Sequence, residues 1–173
     1  LSPSNLRKQT AIISVVAGKK ILNIQKKFKN IKNFFRVMPN MPASIGQSMN
    51  CIVSNKRADK KIKMDVMNLF SYSGKSLFLG NEKQIDMATA ISGSGPGFVF
   101  YLIDAMEKAA EKLGFKNKIS KILISETFKG SINLMIQTNV DAEKLVKAVA
   151  TKGGTTEAGL KIMKNNNVHK LLQ

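Results

Sequence analysis

The segment DMATAISGSGPGFVFYLIDAM, from Asp86 to Met106, marks the point at which the chain changes from mixed to purely helical secondary structure. Within it, the glycine-rich SGSGPG at Ser92 to Gly97 precedes an apolar helix predicted from Phe98 to Leu113, which Gly114 ends. After this helix, apolar residues recur at helical spacing almost to the end of the chain. We therefore expect an α/β part followed by an all-α part.

Ahead of this segment, the pattern is that of alternating strands and helices. Ile12 to Val16 is a continuously apolar, β-branched run, which is typical of a buried parallel strand. A helical face follows at Ile21, Ile24 and Phe28, and a second strand is predicted from Phe34 to Met38. This strand–helix–strand piece indicates the last part of a doubly wound, Rossmann-like domain.

The remaining strands and helices are predicted from the same hydrophobic patterns. Two further short strands are predicted at Ser48 to Val53 and at Leu77 to Leu79, on either side of a helix across Asp59 to Phe70. The later helices are predicted at Ser120 to Thr138, Asp141 to Val149, Thr155 to about Asn165 and Val168 to Leu172.

The composition is that of a soluble globular protein. The chain has 173 residues, of which 43% are hydrophobic, and it lacks the run of about 18 apolar residues that a membrane helix requires. Its start, LSPSNLRKQT, has neither the basic and apolar regions of a signal peptide nor an initiator methionine, so we expect a processed, trimmed or fragmentary chain. The lone Cys51 excludes an internal disulfide and favours a cytoplasmic location.

The charge could suggest a nucleic-acid-binding protein, but its distribution does not favour one. The net charge is +17, yet the lysines are spread along predicted helix faces, and arginine occurs only at Arg7, Arg36 and Arg57. Arginine is the usual reader of bases and phosphates. We therefore interpret the lysines as a solvated surface. Nonspecific binding to polyanions at low salt stays open. The alternative function, a helical module that binds nucleic acid, is supported by the net charge alone.

The segment TKGGTTEAGL, from Thr151 to Leu160, joins two glycines and two threonines to the start of an amphipathic helix. Glycines allow unusual backbone dihedrals, and a helix start presents free backbone N–H groups with partial positive charge. This pattern predicts a site for a small anion such as a carboxylate. The alternative is an ordinary glycine turn with a threonine N-cap.

Four segments in this order resemble the pyrroline-5-carboxylate reductase family. They are AIISVVAG (Ala11 to Gly18), RVMPNMPASIGQSM (Arg36 to Met49), SGSGP and TKGGTTEAGL. The resemblance implies that residues 1–80 are the C-terminal part of a Rossmann-like NAD(P)-binding domain, and that residues 81–173 form a helical dimerisation and substrate domain. It implies reduction of 1-pyrroline-5-carboxylate to L-proline with NADP or NAD as cofactor.

The resemblance also implies how the substrate is held. The backbone N–H groups of Gly154, Thr155 and Thr156 would bind its carboxylate. The Thr156 hydroxyl would hydrogen-bond the ring nitrogen, and Thr151 would line the same pocket. Glu82 matches an acidic family position near the substrate, although a carboxylate at the start of a helix is the simpler explanation from the sequence alone.

For the cofactor, the resemblance implies contact of Val15, Val16 and Ala17 with the nicotinamide half. Met38 and Asn40 would lie after the next strand, on the side where ligands of open α/β sheets bind. No G-x-G-x-x-G follows a strand in these residues, so the pyrophosphate turn is expected upstream of Leu1, and the choice between NADH and NADPH stays open.

The sequence departs from the family pattern at a few positions. Lys152 stands where the family commonly has proline, and Met41 where it has threonine; Gly97 and Phe98 replace an Ala-Tyr pair. Lys152 could loosen the loop, because proline restricts the backbone.

Hydride transfer to a C=N bond requires no nucleophile, metal or histidine. The single histidine, His169, is expected at the surface and Cys51 in the core, and no residues have metal-ligand spacing. A hydrolase or metalloenzyme is therefore not favoured.

We expect an NAD(P)H-dependent reductase that binds 1-pyrroline-5-carboxylate and forms a homodimer or a higher homo-oligomer. The consecutive apolar residues Phe98 to Ile103 cannot all be hidden within one small bundle, and a partner chain can cover them. The alternative is a catalytically silent remnant, or a split subunit, that only dimerises.

Overall fold

The computed structural model describes Leu6, Arg7 and residues 9–171. The expectations for the first ten residues and for the end of the last helix at Leu172 fall partly or wholly outside the described residues. The chain divides into two compact units, residues 1–102 and residues 103–173.

The first unit is built on a four-stranded sheet. Its strands are β1 (Ala11–Ser14), β2 (Asn33–Met38), β3 (Ser48–Ser54) and β4 (Gly74–Phe78), in the spatial order β1-β2-β3-β4. β1 runs parallel to β2 and β3 runs parallel to β4, whereas β2 and β3 are antiparallel. The nine residues between β2 and β3 are too few for the crossover that a parallel pair needs, so the sheet is mixed.

The described residues form eight α-helices; all but the one at Glu82–Ala88 correspond to a helix predicted from the sequence, and the long apolar helix begins at Gly95, before the predicted Phe98. The eight helices are α1 (Ile21–Gln25), α2 (Lys60–Ser71), α3 (Glu82–Ala88), α4 (Gly95–Lys112), α5 (Asn117–Thr138), α6 (Ala142–Val149), α7 (Thr155–Asn165) and α8 (Val168–Leu171). A 3-10 turn occupies Met41–Ile45, and a π-helical turn at Thr89–Gly93 leads into α4. The predicted fold class, an α/β part followed by helices, is confirmed.

Side chains of the central strands alternate between the two faces of the sheet, as the strand period requires. On one face, Phe34 and Val53 pack with Ile21 of α1 and Ile85 of α3. On the other face, Phe35, Val37 and Ile52 pack with Val66 of α2. Cys51 is buried in the first cluster, as expected, so this thiol is a core residue.

Two predictions for the N-terminal part need correction. The first strand ends at Ser14, so Val15 and Val16 lie beyond it, and its side chains are half-buried rather than buried. The reason is that β1 lies at an edge of the described sheet. α1 ends at Gln25, so Phe28 lies outside the helix, although it still packs against the core with Ile24.

The division between the two units lies later than the predicted domain boundary after residue 80. Ile85 of α3 is 1% exposed and packs beneath the sheet, which joins α3 to the first unit. The boundary after residue 80 stays a prediction about where the functional domains divide.

The second unit buries few of its own apolar side chains. Among residues 103–171, only Ala110, Ser120 and Ile124 are buried. α5 and α6 border an apolar groove of about 570 Å³, which is lined by Ile132, Leu134, Met135, Leu145, Val149 and their neighbours. His169 is exposed, as predicted. No helix within the described part of the chain is long and apolar enough to cross a membrane.

Candidate functional site

The TKGGTT loop takes its shape from its two glycines. Gly153 has a φ of +74°, a left-handed conformation that L side chains rarely adopt. Gly154 is extended and is the N-cap of α7, without a side-chain cap. A methyl group added at Gly154 would lie 2.6 Å from Thr151 Oγ1, so this position has no room for a side chain. The threonine N-cap that the sequence left open does not form.

Some backbone N–H groups of this loop donate hydrogen bonds to acceptors within the protein, and others have no such acceptor among the described residues. Gly153 N–H donates to Glu157 Oε2 at 2.7 Å, and Gly154 N–H donates to the Thr151 carbonyl at 3.0 Å. The N–H groups of Thr155 and Thr156, in the first turn of α7, have no acceptor among the described residues. Of the three donors that the sequence suggested, two are therefore available to an anion.

The side chains beside these donors are small and polar. Thr156 is half-buried and its hydroxyl makes no hydrogen bond to the residues that the structure describes, whereas Thr151 is exposed. Next to the loop lies an open cleft of about 650 Å³, whose walls include Gly153, Gly154 and Lys161. The three threonines do not line this cleft. The free donors and the Thr156 hydroxyl thus share one turn of helix, beside a cleft lined by Lys147, Lys161 and Lys164 as well as Glu157.

Glu82 lies in the first unit, as the first residue of α3. Its Oε1 accepts hydrogen bonds from Arg36 Nη1 at 3.0 Å and from the Ile21 backbone N–H at 2.9 Å. Arg36 Nη2 donates to Asp86 Oδ1 at 3.0 Å. Sequence reasoning missed this cluster. An arginine inside an apolar strand, with two acids four residues apart on a later helix, was the signal that could have revealed it.

The residues expected at the cofactor lie at one edge of the sheet. Val15, Val16 and Ala17 follow β1, and Met38 ends β2. Because β1 and β2 are parallel and adjacent, their carboxyl ends meet at the same edge. Val15 and Val16 are 54% and 55% exposed and Met38 is half-buried, so this edge presents apolar surface.

Asn40, by contrast, uses its side chain within the protein. Its Oδ1 accepts from Met49 N–H and its Nδ2 donates to the Ser92 carbonyl, both at 3.0 Å. The residue therefore ties the loop after β2 to β3 and to the SGSGP segment. A methyl group at Gly93 would lie 3.7 Å from Met38 Cε, which shows how closely that segment covers the end of β2.

The predicted site residues thus fall into two groups, one in each compact unit. The cofactor residues and Glu82 belong to the first unit, and Thr151, Gly154, Thr155 and Thr156 belong to the second. Within the described ranges, no three His, Cys, Asp or Glu side chains form a group that could hold a metal ion.

Residues 82–173 match the family model described as pyrroline-5-carboxylate reductase dimerisation. Pyrroline-5-carboxylate reductase 2 of Bacillus subtilis is 36% identical over 165 residues, which are 95% of this chain and 59% of that protein. The Pseudomonas aeruginosa reductase is 31% identical over 173 residues, which are 100% of this chain and 63% of that protein.

Solved structures similar to this chain are also pyrroline-5-carboxylate reductases. A pyrroline-5-carboxylate reductase from Coxiella burnetii superposes with a TM-score of 0.88 at 28% identity, covering 95% of this chain and 61% of that one. The Plasmodium falciparum pyrroline carboxylate reductase, solved with NADP bound, has a TM-score of 0.87 at 29% identity over 94% and 65% of the two chains. The chain thus spans about three-fifths of the length of these proteins.

Proposed function

The chain belongs to the pyrroline-5-carboxylate reductase family, and from this premise we propose that it forms the substrate-binding and dimerising part of an enzyme that reduces 1-pyrroline-5-carboxylate to L-proline. The observation that carries the proposal is the pair of free N–H groups at Thr155 and Thr156, with the Thr156 hydroxyl beside them. The proposed cofactor is NADP or NAD, and the proposed location is the cytoplasm.

In this proposal, the first turn of α7 binds the substrate carboxylate. Two N–H donors and the positive end of the helix dipole together favour an anion. The left-handed Gly153 and the Gly154–Thr151 contact fix where these donors lie. The carboxylate is the substituent beside the reacting C=N group, so its position determines the orientation of that bond.

The Thr156 hydroxyl is proposed to hydrogen-bond the ring nitrogen. Reduction adds a hydride to the carbon of the protonated imine, so its positively charged nitrogen becomes a neutral amine and changes its charge and geometry during the reaction. A hydroxyl can both donate and accept, and it can follow that change. A hydrogen bond that is strongest in the transition state raises the rate rather than the ground-state affinity.

The apolar edge at Val15, Val16 and Met38 is proposed to take the nicotinamide ring. A bound reduced nicotinamide supplies the hydride that the side chains of this protein cannot supply. The chain's own contribution there is an apolar surface against which the ring can pack.

The exposed apolar side chains support a homo-oligomer. Phe98, Phe100 and Tyr101 on α4 are more than half exposed. In the second unit, the groove between α5 and α6 is apolar and open. Exposed apolar area of this kind usually marks an interface, and we propose that a second copy of the chain covers it.

The proposal is tested on the purified protein that carries these residues. L-proline formed from pyrroline-5-carboxylate is measured by chromatography, together with oxidation of NADPH or NADH, and proline binding is measured by calorimetry. We expect turnover, and we expect Thr156→Ala to reduce it. Proline binding without turnover would favour the split-subunit alternative, and a protein that neither binds proline nor forms it would contradict the proposal.

A further inference from the structure

A cleft of about 350 Å³ lies at the end of the sheet where β2 begins and β3 ends. Its walls come from the segment before β2 and from the turn after β3. The residues expected at the cofactor lie at the other end of β2, around Met38. The cleft therefore belongs to neither group of candidate site residues, and it lies wholly within the first unit.

Asn55 holds the two walls of this cleft together. Its backbone N–H donates to the Phe34 carbonyl at 3.0 Å, and its Oδ1 accepts from the Phe34 N–H at 3.1 Å. Its Nδ2 donates to the Lys32 carbonyl at 3.0 Å. These three hydrogen bonds fix the backbone after β3 against the backbone before β2. The walls of the cleft are thus formed by the fold itself, so a ligand would not have to order them.

The residues that line the cleft carry three positive charges, at Lys29, Lys32 and Arg57, and no Asp or Glu occurs among them. Lys32 Nζ donates to Asp59 Oδ1 at 2.6 Å, so this one charge is balanced by a carboxylate outside the cleft. Lys29 and Arg57 form no ion pair with the described residues. Two unpaired cations therefore line one concave space, which favours the accumulation of anions there.

Arg57 distinguishes this cleft from the lysine-rich surface elsewhere. Arginine is rare in this chain, and a guanidinium presents a rigid fork of N–H donors that matches two oxygens of a phosphate group. Gln25 and Asn30 also line the cleft, and their carboxamides make no hydrogen bond to the described residues. The cleft thus combines a forked cation, a second unpaired cation and neutral donors.

We propose that this cleft binds a small phosphate-bearing anion, with Lys29 and Arg57 on the phosphate oxygens. Lys32 adds a further positive charge, and the carboxamides of Gln25 and Asn30 donate to the remaining oxygens. A volume of about 350 Å³ is at the lower end for small-molecule sites, so the ligand is a small metabolite and not a nucleic acid. The inference is independent of the proposed function, because it uses none of the residues of that site.

Pyrophosphate is the probe, and its binding to the purified protein is measured by calorimetry at low salt. We expect one saturable site per chain, which sodium chloride weakens because partly exposed charges are screened. The double variant Lys29→Gln/Arg57→Gln should weaken binding on the order of tenfold or more, since two charge-assisted contacts are lost. Arg57→Lys keeps the charge but not the fork, and it should weaken binding by about threefold.

Lys75→Gln/Lys83→Gln is the matched control. It removes the same charge from the same unit, and both lysines are exposed and do not line the cleft. We expect this variant to bind pyrophosphate nearly as the unchanged protein does. In amide NMR spectra of the unchanged protein, pyrophosphate should shift the signals of Asn30 and Arg57 more than that of Val16, which lies at the opposite edge of the sheet.

The outcomes decide between a built site and a general attraction of anions. Equal losses in the two double variants would show that the net charge alone attracts pyrophosphate, and the inference would be overturned. It would also be overturned by an absence of saturable binding, or by binding that Lys29→Gln/Arg57→Gln leaves unchanged. An oligonucleotide that binds through these residues while pyrophosphate does not would show that the ligand is a polymer, against the proposal.

Single variants decide if the double variant does not fold. Lys29→Gln and Arg57→Lys should then each weaken pyrophosphate binding, and full affinity in both would overturn the inference. Reduction of the imine is measured separately, and none of these outcomes changes its interpretation.

Discussion

Glu157 accepts a hydrogen bond from the backbone N–H of Gly153 at 2.7 Å, across the first turn of α7. Gly153 is the left-handed residue of the loop, and the residue before it is Lys152, where the family commonly has the more restrictive proline. The Glu157 carboxylate, on α7, thus restrains the backbone at Gly153, which no proline at residue 152 restricts.

The first prediction concerns this restraint. Glu157→Ala should remove about 1 kcal/mol of local stability and let the loop fluctuate, because the Gly153 N–H loses its acceptor. We expect faster amide exchange at Gly153 and Gly154 and a Michaelis constant for pyrroline-5-carboxylate raised about threefold to tenfold. Glu157→Gln keeps an acceptor oxygen and should resemble the unchanged protein. Equal exchange rates in all three proteins would show that the hydrogen bond restrains nothing.

The second prediction concerns Gly154. Gly154→Ala places a methyl group 2.6 Å from Thr151 Oγ1 and 3.1 Å from the Thr151 carbonyl, so the loop must shift. We expect kcat/KM to fall on the order of tenfold to a hundredfold, because the N–H donors move with the loop. Gly159→Ala is the control, since a methyl group there meets nothing within 4 Å. That change should leave activity intact and stabilise α7 by up to about 1 kcal/mol. Full activity in Gly154→Ala would show that the substrate does not depend on this loop.

The third prediction separates binding from catalysis at Thr156. Thr156→Ala should lower kcat on the order of a hundredfold, as for loss of a donor that acts in the transition state. Its dissociation constant for proline should change much less. Thr156→Ser retains the hydroxyl and should keep most of the activity. An unchanged kcat with a raised Michaelis constant would assign the hydroxyl to binding alone.

The fourth prediction concerns assembly. Light scattering at micromolar concentration should give at least twice the mass of the single chain, which is 19.0 kDa for these residues. Leu134→Lys adds a charge to the apolar groove between α5 and α6 and should shift the mass towards the monomer. Met64→Lys, at an exposed apolar position on α2 (66% exposed, against 53% for Leu134), should not. A monomeric unchanged protein would contradict the prediction.

Local signals in the sequence were sufficient to locate most elements. The strand predicted from Phe34 to Met38 begins one residue earlier in the structure, and the helix predicted across Asp59 to Phe70 is shifted by one residue. β4 begins three residues before the predicted Leu77, since Gly74, Lys75 and Ser76 lack the apolar character of a strand. Their strand conformation comes from pairing with β3, which is a tertiary effect.

The part of the candidate site that neighbouring residues in the sequence form could be predicted. The TKGGTT loop, its glycines and the start of α7 follow from adjacent residues. The hydrogen bond that holds Glu82 does not follow from adjacent residues, because its partner Arg36 lies 46 residues earlier on another element. A single sequence shows that both residues exist and that one is an arginine inside an apolar strand. It does not show that the fold brings them to hydrogen-bonding distance.

The Asn40 carboxamide links the loop after β2 both to β3 and to the segment ahead of α4. One end of the amide donates to the Ser92 carbonyl, ahead of α4, while the other accepts from Met49 at the start of β3. Aspartate has the same shape but no N–H group, so Asn40→Asp would cut the link to Ser92 and keep the link to Met49. In Asn40→Asp, the segment ahead of α4 would therefore be held to the sheet at Ser92 by the contact of Ser92 Oγ with Cys51 Sγ at 3.8 Å, without the Asn40 hydrogen bond.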